Sequence, residues 1–104
     1  MARGPDAGTL VERALSLSAM RASIAMVVLD ATATRWASAT FSGARHVLDL
    51  RLSDTAAARQ WLAGLAEADL PMRGHLMADC TVAHLHSAGG TIDVRIEALT
   101  VESV

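Results

Sequence analysis

The glycine pair Gly89-Gly90 is the sequence feature that most restricts the fold of this chain. Paired glycines supply the positive φ angles that a two-residue hairpin turn requires. Alternating apolar and polar residues flank the pair, from Met77 to Val101. The predicted register pairs three residues before the turn with three residues after it: His86 with Asp93, His84 with Arg95, and Val82 with Glu97. The end of the chain is therefore predicted to be an antiparallel hairpin.

The alternation breaks farther from the turn. Cys80 and Leu99 fall on the polar side of the hairpin, and Asp79 falls on the apolar side. An extra residue in one strand would restore the pattern, because a β-bulge shifts every later side chain to the other face. We expect such a bulge near residues 80–82 or near Ala98.

The N-terminal part of the chain has helical periodicity. Thr9-Leu10-Val11-Glu12 fits a capping box, in which the side chains of the first and last residues satisfy each other's backbone N–H groups. Apolar residues then recur at helical spacing, which predicts an amphipathic helix to about residue 30, preceded by a disordered tail of residues 1–8. The alternative is a strand over residues 24–29, where β-branched residues accumulate. The pattern of residues 24–34 leaves helix or strand open.

The middle of the chain predicts a second hairpin followed by a second helix. Residues 35–52 alternate, and Gly43-Ala44 is the expected turn. Ser53 is placed to cap the following helix, which would include Gly64 and end before Pro71.

A shift of 44 residues relates the two halves. It superposes Leu48-Asp49-Leu50-Arg51-Leu52 on Ile92-Asp93-Val94-Arg95-Ile96, and it superposes the expected helix caps. The predicted fold is α+β, with order αββαββ: two αββ pseudo-repeats, residues 9–52 and 53–101, within one domain of residues 9–104. They would form a four-stranded antiparallel sheet with two helices on one face, a circularly permuted ferredoxin-like arrangement. If the repeated strands are the central pair, Asp49 lies near Arg95 and Arg51 near Asp93.

Composition excludes several classes of function. A chain of 104 residues with a net charge of −2 and no basic cluster is not expected to bind nucleic acid. The single cysteine, Cys80, cannot form an internal disulfide and fits a reducing cytoplasm. No apolar run is long enough to cross a bilayer, so no membrane role is expected. The nine cations are all arginine, a bias typical of GC-rich bacterial coding sequences.

Few side chains could take part in catalysis or metal binding. His84 and His86 lie on one face of a strand opposite Asp93, and two imidazoles with a carboxylate can bind a divalent metal, although no motif fixes a further ligand. Cys80 beside a histidine could act as a nucleophile, but a small core cysteine is the competing interpretation. His46 and His75 are expected at strand ends without companions. No catalytic motif and no cofactor are predicted.

The remaining candidate is the sheet face that the helices leave open. Its predicted interaction residues are one tryptophan and four charged residues: Trp36, Asp49, Arg51, Asp93 and Arg95. We expect a non-catalytic cytoplasmic binding module that forms a homodimer through this face or an edge strand, with a protein or a small molecule as a further possible ligand. Two alternatives stay open: a metal- or ligand-binding domain using His84, His86 and Asp93, and a small cofactor-independent enzyme.

Overall fold

The computed structural model describes residues 6–103 as two helices packed on a four-stranded antiparallel sheet, an α+β fold. The predicted class and antiparallel sheet are confirmed. The elements in chain order are α1 (Ala7–Arg21), β1 (Met26–Ala37), β2 (Ser42–Ser53), α2 (Ala56–Ala63), a short 3₁₀ helix (Leu65–Glu67), β3 (His75–Ala88) and β4 (Thr91–Glu102). The strands are ordered β1-β2-β4-β3, so the two central strands come from different halves of the chain. None of the helices within residues 6–103 is long and apolar enough to cross a membrane.

Helix α1 begins and ends earlier than the sequence pattern predicts. Its N-cap is Asp6, whose carboxylate accepts a hydrogen bond from the N–H of Thr9 at 2.8 Å, so the expected cap at Thr9 is wrong. The helix ends at Arg21 because Ser23 adopts a left-handed φ of 59°. The N–H of Ser23 donates to Met20 and that of Ile24 donates to Ala19, the paired bonds of a Schellman motif. Of the predicted tail, residues 6–8 belong to this helix and its cap, and residues 1–5 lie outside the described residues.

The strand alternative for residues 24–29 is therefore the correct one. Strand β1 runs from Met26 to Ala37 and pairs antiparallel with β2, so the second hairpin forms, but its predicted start at residue 35 is wrong. The turn lies at residues 38–41 and not at Gly43-Ala44. The Ser38 hydroxyl accepts from the N–H of Phe41 at 3.0 Å, and the Ser38 N–H donates to the Phe41 carbonyl at 2.7 Å. A serine side chain thus closes a turn that has no glycine.

Helix α2 is capped by Thr55 and not by Ser53, which remains the last residue of β2. The Thr55 hydroxyl accepts from the N–H of Ala58 at 3.0 Å. Gly64 is the C-cap of this helix, whereas the sequence predicts it inside a longer one. The segment then tightens into the 3₁₀ helix before Pro71.

The core lies between the helices and one face of the sheet. The even-numbered residues from Ala44 to Leu52 and from Ile92 to Thr100 are buried on this face. They include Leu48, Leu50, Ile92 and Ile96, each no more than 1% exposed. Helix residues such as Leu15 complete the same cluster. Trp61 of α2 donates its indole N–H to the Ser18 hydroxyl of α1 at 2.9 Å, which joins the two helices. Both helices therefore cover the same face.

Both edge strands contain bulges. On β3 the register shifts between Met77 and Asp79 and again between Val82 and His84, and on β1 it shifts between Val28 and Asp30. The bulge expected near residues 80–82 is confirmed to within a residue, and β4 continues past Ala98 in regular register. As a result Thr81, not Val82, lies opposite Glu97.

Candidate interaction face

The side of the sheet opposite the helices is the candidate functional surface, here called the open face. It consists of the odd-numbered residues of β2 and β4 and of their partners on the two edge strands. All five predicted interaction residues lie on it: Trp36, Asp49, Arg51, Asp93 and Arg95.

Two reciprocal ion pairs occupy the centre of the open face. Arg51 donates to both carboxylate oxygens of Asp93, at 2.8 and 2.9 Å. Arg95 donates to both oxygens of Asp49, at 2.9 and 3.0 Å. The cross-strand neighbours predicted from the sequence are confirmed. The hydrogen bonds from these arginines hold the pKa of each aspartate below its ordinary value.

Apolar side chains adjoin the ion pairs toward one end of the open face. Leu76 is 62% exposed, and Val47, Leu99 and Val101 are half-buried. Trp36 is also half-buried, and its indole Nε1 is buried without a hydrogen-bond partner among residues 6–103. A buried unpaired N–H costs roughly 1–3 kcal/mol, so the chain alone leaves this group unsatisfied.

Gly43 brings Trp36 close to the central strands. A Cβ at Gly43 would overlap the carbonyl oxygen of Thr100 and would lie 3.0 Å from the Trp36 ring. Gly43 pairs with Trp36 on one side and with Val101 on the other. The absence of a side chain lets the indole pack over the strand at this point.

The two candidate metal-binding histidines are on the same open face. His84 lies opposite Arg95 and His86 opposite Asp93, as predicted, and both are exposed. They line an open groove of about 770 Å³ with Asp49 and other charged residues. Both oxygens of Asp93 already accept from Arg51, and residues 6–103 contain no group of three His, Cys, Asp or Glu side chains positioned to hold a metal. A metal here would have to compete with the Arg51 guanidinium.

Cys80 lies on the core face of β3, opposite Ala98, and is buried. Burial raises the pKa of its thiol to about 11, with a smaller contribution from the charge of Asp79. A thiol with this pKa is protonated at neutral pH and is a poor nucleophile.

His46 is the residue that sequence reasoning misplaced. It lies inside β2 on the core face, is only 2% exposed, and bonds through Nε2 to the Thr100 hydroxyl at 2.8 Å. Burial lowers the pKa of its imidazole, with a smaller contribution from His75. The only sequence signal was its place in the alternation, between Ala44 and Leu48.

A scan against protein-family models and searches of curated proteins and of solved structures found no match for the chain. The open face combines an exposed apolar area with fixed charges of both signs, an arrangement that suits the docking of a macromolecular surface.

Proposed function

We propose that the chain is a non-catalytic binding module that forms a homodimer through the open face of its sheet. One observation carries this proposal. Exposed Leu76 and half-buried Trp36, Leu99 and Val101 lie together on a face that neither helix covers. Apolar side chains grouped in this way, with an aromatic residue among them, are typical of interaction surfaces.

The size of the open face fits a dimer interface. Four strands of twelve or more residues span about 19 by 40 Å at ordinary strand spacing and rise, an area of roughly 760 Å². Stable interfaces of standard size bury about 800 Å² per partner.

The charges on the open face support a second copy as the partner. A twofold interface brings the same surface patch together from both subunits, so the patch must complement itself. Asp49 and Asp93 are balanced on this face by Arg51 and Arg95. These two central ion pairs have no net charge, so they can meet their own copies without net repulsion. Around them the open face is mildly acidic, because Asp30, Asp79 and Glu97 outnumber Arg45.

Pairing through an edge strand is the competing arrangement. The two bulges of β3 and the one in β1 interrupt the regular ladder that a second chain would need. The bulges therefore favour the face over the edges.

Sedimentation velocity across micromolar concentrations tests the proposal with two matched variants. Leu76→Arg places a charge on the open face, and Met20→Arg places one on α1, where the side chain is 69% exposed. We expect wild type and Met20→Arg to sediment as dimers and Leu76→Arg to sediment as a monomer. A wild-type monomer at high micromolar concentration would refute the homodimer, and equal dimerisation of all three proteins would refute the open face as its interface.

We also propose a fold type and a cellular location for the protein. We interpret the arrangement as a circularly permuted ferredoxin-like fold built from two αββ pseudo-repeats, in a cytoplasmic protein. The repeated order of helix, strand and strand, the central position of β2 and β4, and the reciprocal Asp–Arg pairs support this interpretation.

A further inference from the structure

A cavity of about 650 Å³ lies on the side of the sheet away from the open face. The first turn of α1 forms one wall, and the core faces of β1 and β2 form another. Six side chains that can carry charge line it: Asp6, Glu12, Arg35, His46, His75 and Glu102. Cavities of this volume that contain a few converging polar groups are the usual form of small-molecule sites.

His46 is the most deeply placed polar group of the cavity. The Thr100 hydroxyl lies 2.8 Å from its Nε2 and donates its own proton to the Ala44 carbonyl, at 3.4 Å. We assign the single hydroxyl proton to the Ala44 carbonyl. The hydroxyl oxygen then accepts from Nε2–H, and the neutral imidazole of this tautomer carries no proton on Nδ1. Nδ1 makes no hydrogen bond with any residue of the range 6–103. This nitrogen, on a side chain 98% buried in the cavity wall, is an acceptor without a donor.

Of the three carboxylates that line the cavity, two already accept hydrogen bonds within the chain. Asp6 caps α1 through the N–H of Thr9, which offsets the positive end of the helix dipole. Glu102 accepts a hydrogen bond from the Ser42 hydroxyl. Glu12 makes no hydrogen bond or ion pair with the rest of residues 6–103, and it remains the carboxylate free to pair with a ligand. Against these three acids the cavity has one guanidinium, Arg35, and the imidazole of His75.

We propose that this cavity binds a small organic cation, whose ammonium group donates to His46 Nδ1 and pairs with the Glu12 carboxylate. An ammonium group has three donors and no acceptor, which matches a cavity lined by both an unprotonated nitrogen and a carboxylate without a partner among residues 6–103. An anion would meet three carboxylates and the lone pair of Nδ1. The excess of acidic groups also raises the local concentration of cations at the mouth of the cavity. The site is independent of the open face, because it lies on the opposite side of the sheet.

A titration of the full chain with 1,4-diaminobutane tests this inference. The readout is the ring resonances of His46 in a carbon–proton correlation spectrum at pH 7.5, assigned by comparison with His75, His84 and His86 variants. We expect a saturable shift of the His46 ring at millimolar diamine or below, while the exposed His84 and His86 serve as internal controls. Butane-1,4-diol and succinate, of similar length, should leave His46 unshifted.

Two matched variants separate the cavity from general electrostatics. Glu12→Gln should weaken diamine binding about tenfold or more, whereas Glu67→Gln on the exposed 3₁₀ helix should bind as wild type does. Both positions are outside the core, and circular dichroism will verify the fold. No saturable shift with diamine, an equal shift with succinate, or equal binding by both variants would each overturn the inference.

Discussion

Gly43 occupies a point of β2 where a side chain has no room. The Thr100 carbonyl of β4 and the Trp36 ring of β1 approach its Cα from the two neighbouring strands. Because one of these neighbours is backbone, it cannot move aside without distorting the ladder. A single residue thus sets how closely the tryptophan of the open face packs.

Gly43→Ala should destabilise the protein by about 1–3 kcal/mol, the range for overpacking a well-packed position. Gly64→Ala is the matched control, because a Cβ there would be 3.6 Å from the nearest atom and φ is −94°. We expect the control to be neutral or stabilising by up to about 1 kcal/mol. Urea unfolding followed by circular dichroism measures both, and equal stability of the two variants would contradict the role given to Gly43.

Asp54 joins the start of α2 to the end of β3. Its carboxylate accepts from the Arg59 guanidinium at 2.7 and 2.9 Å and from the Ser87 hydroxyl at 2.7 Å. The bond from Arg59 is the main cause, and that from Ser87 the second, of the lowering of the Asp54 pKa from 3.8 to about 2.

Since the folded pKa of Asp54 is depressed, its contribution to stability is present above pH 4 and is lost as the pH falls toward 2. We expect the urea midpoint of the wild type to fall over this range, and that of Asp54→Asn to fall less steeply. Parallel acid limbs for the two proteins would show that these bonds contribute nothing to stability. Glu67→Gln, a change at an exposed carboxylate elsewhere on the chain, is the control.

The positions of single residues could be predicted from the sequence where strand alternation alone determines them. Asp49 and Arg95 were predicted to be neighbours because their period of two and the repeated motif fixed both face and order. His46 could not be understood in this way, since its partner Thr100 is 54 residues away and on another strand. Alternation gives a face but does not give the depth of burial or the bonding partner.

At the scale of elements, short side-chain bonds decide where the helices start. Thr55 and Ser53 both precede α2, and both are residues that favour N-caps. Thr55 is the cap because β2 continues through Ser53, where it still pairs with Thr91 of β4. The strand ladder therefore sets the start of the helix.

Thr55→Ala should cost about 1 kcal/mol of unfolding free energy, the usual loss for a missing cap. Ser53→Ala, two positions earlier and exposed, should change stability by less than about 0.5 kcal/mol. Thermal unfolding by calorimetry distinguishes them. If Ser53→Ala were the more damaging change, the cap would be assigned to the wrong residue.

The elements were predictable where special residues mark their ends. Gly89 and Gly90 have φ values of 60° and 83°, as the hairpin turn requires. The end of α1 was missed because a serine, Ser23, adopts the left-handed conformation there, and serine has no strong preference for it. The turn at residues 38–41 was missed for a similar reason, because its closing bond comes from the Ser38 hydroxyl, a short-range contact that hydropathy does not report.

At the scale of the whole molecule, the sheet is longer than the helices that cover it. Twelve residues of strand extend about 40 Å, whereas the fifteen residues of α1 extend about 22 Å. Part of the core face therefore lies beyond the helices, and the cavity beside His46 occupies this part. The sequence did not predict the cavity, because alternation marks which residues face the helices and does not mark where the helices stop.

The reciprocal ion pairs predict how the two halves of the chain would associate if they were separated. Two copies of β2, placed antiparallel about Leu50, would bring Asp49 of each copy opposite Arg51 of the other. Two copies of β4 placed about Val94 would do the same for Asp93 and Arg95. Each central strand can therefore pair with a second copy of itself in a register that places Asp opposite Arg, as it does with the other central strand.

A chain cut between Ser53 and Asp54 should accordingly give fragments that exchange partners. We expect residues 1–53 and 54–104 to associate when mixed, with recovery of the far-ultraviolet spectrum of the intact protein. Each fragment alone should form symmetric pairs, and Asp49→Arg should weaken those of the first fragment by setting like charges opposite each other. Fragments that stay monomeric both alone and when mixed would show that the covalent connection, and not the complementarity of β2 and β4, holds the two halves together.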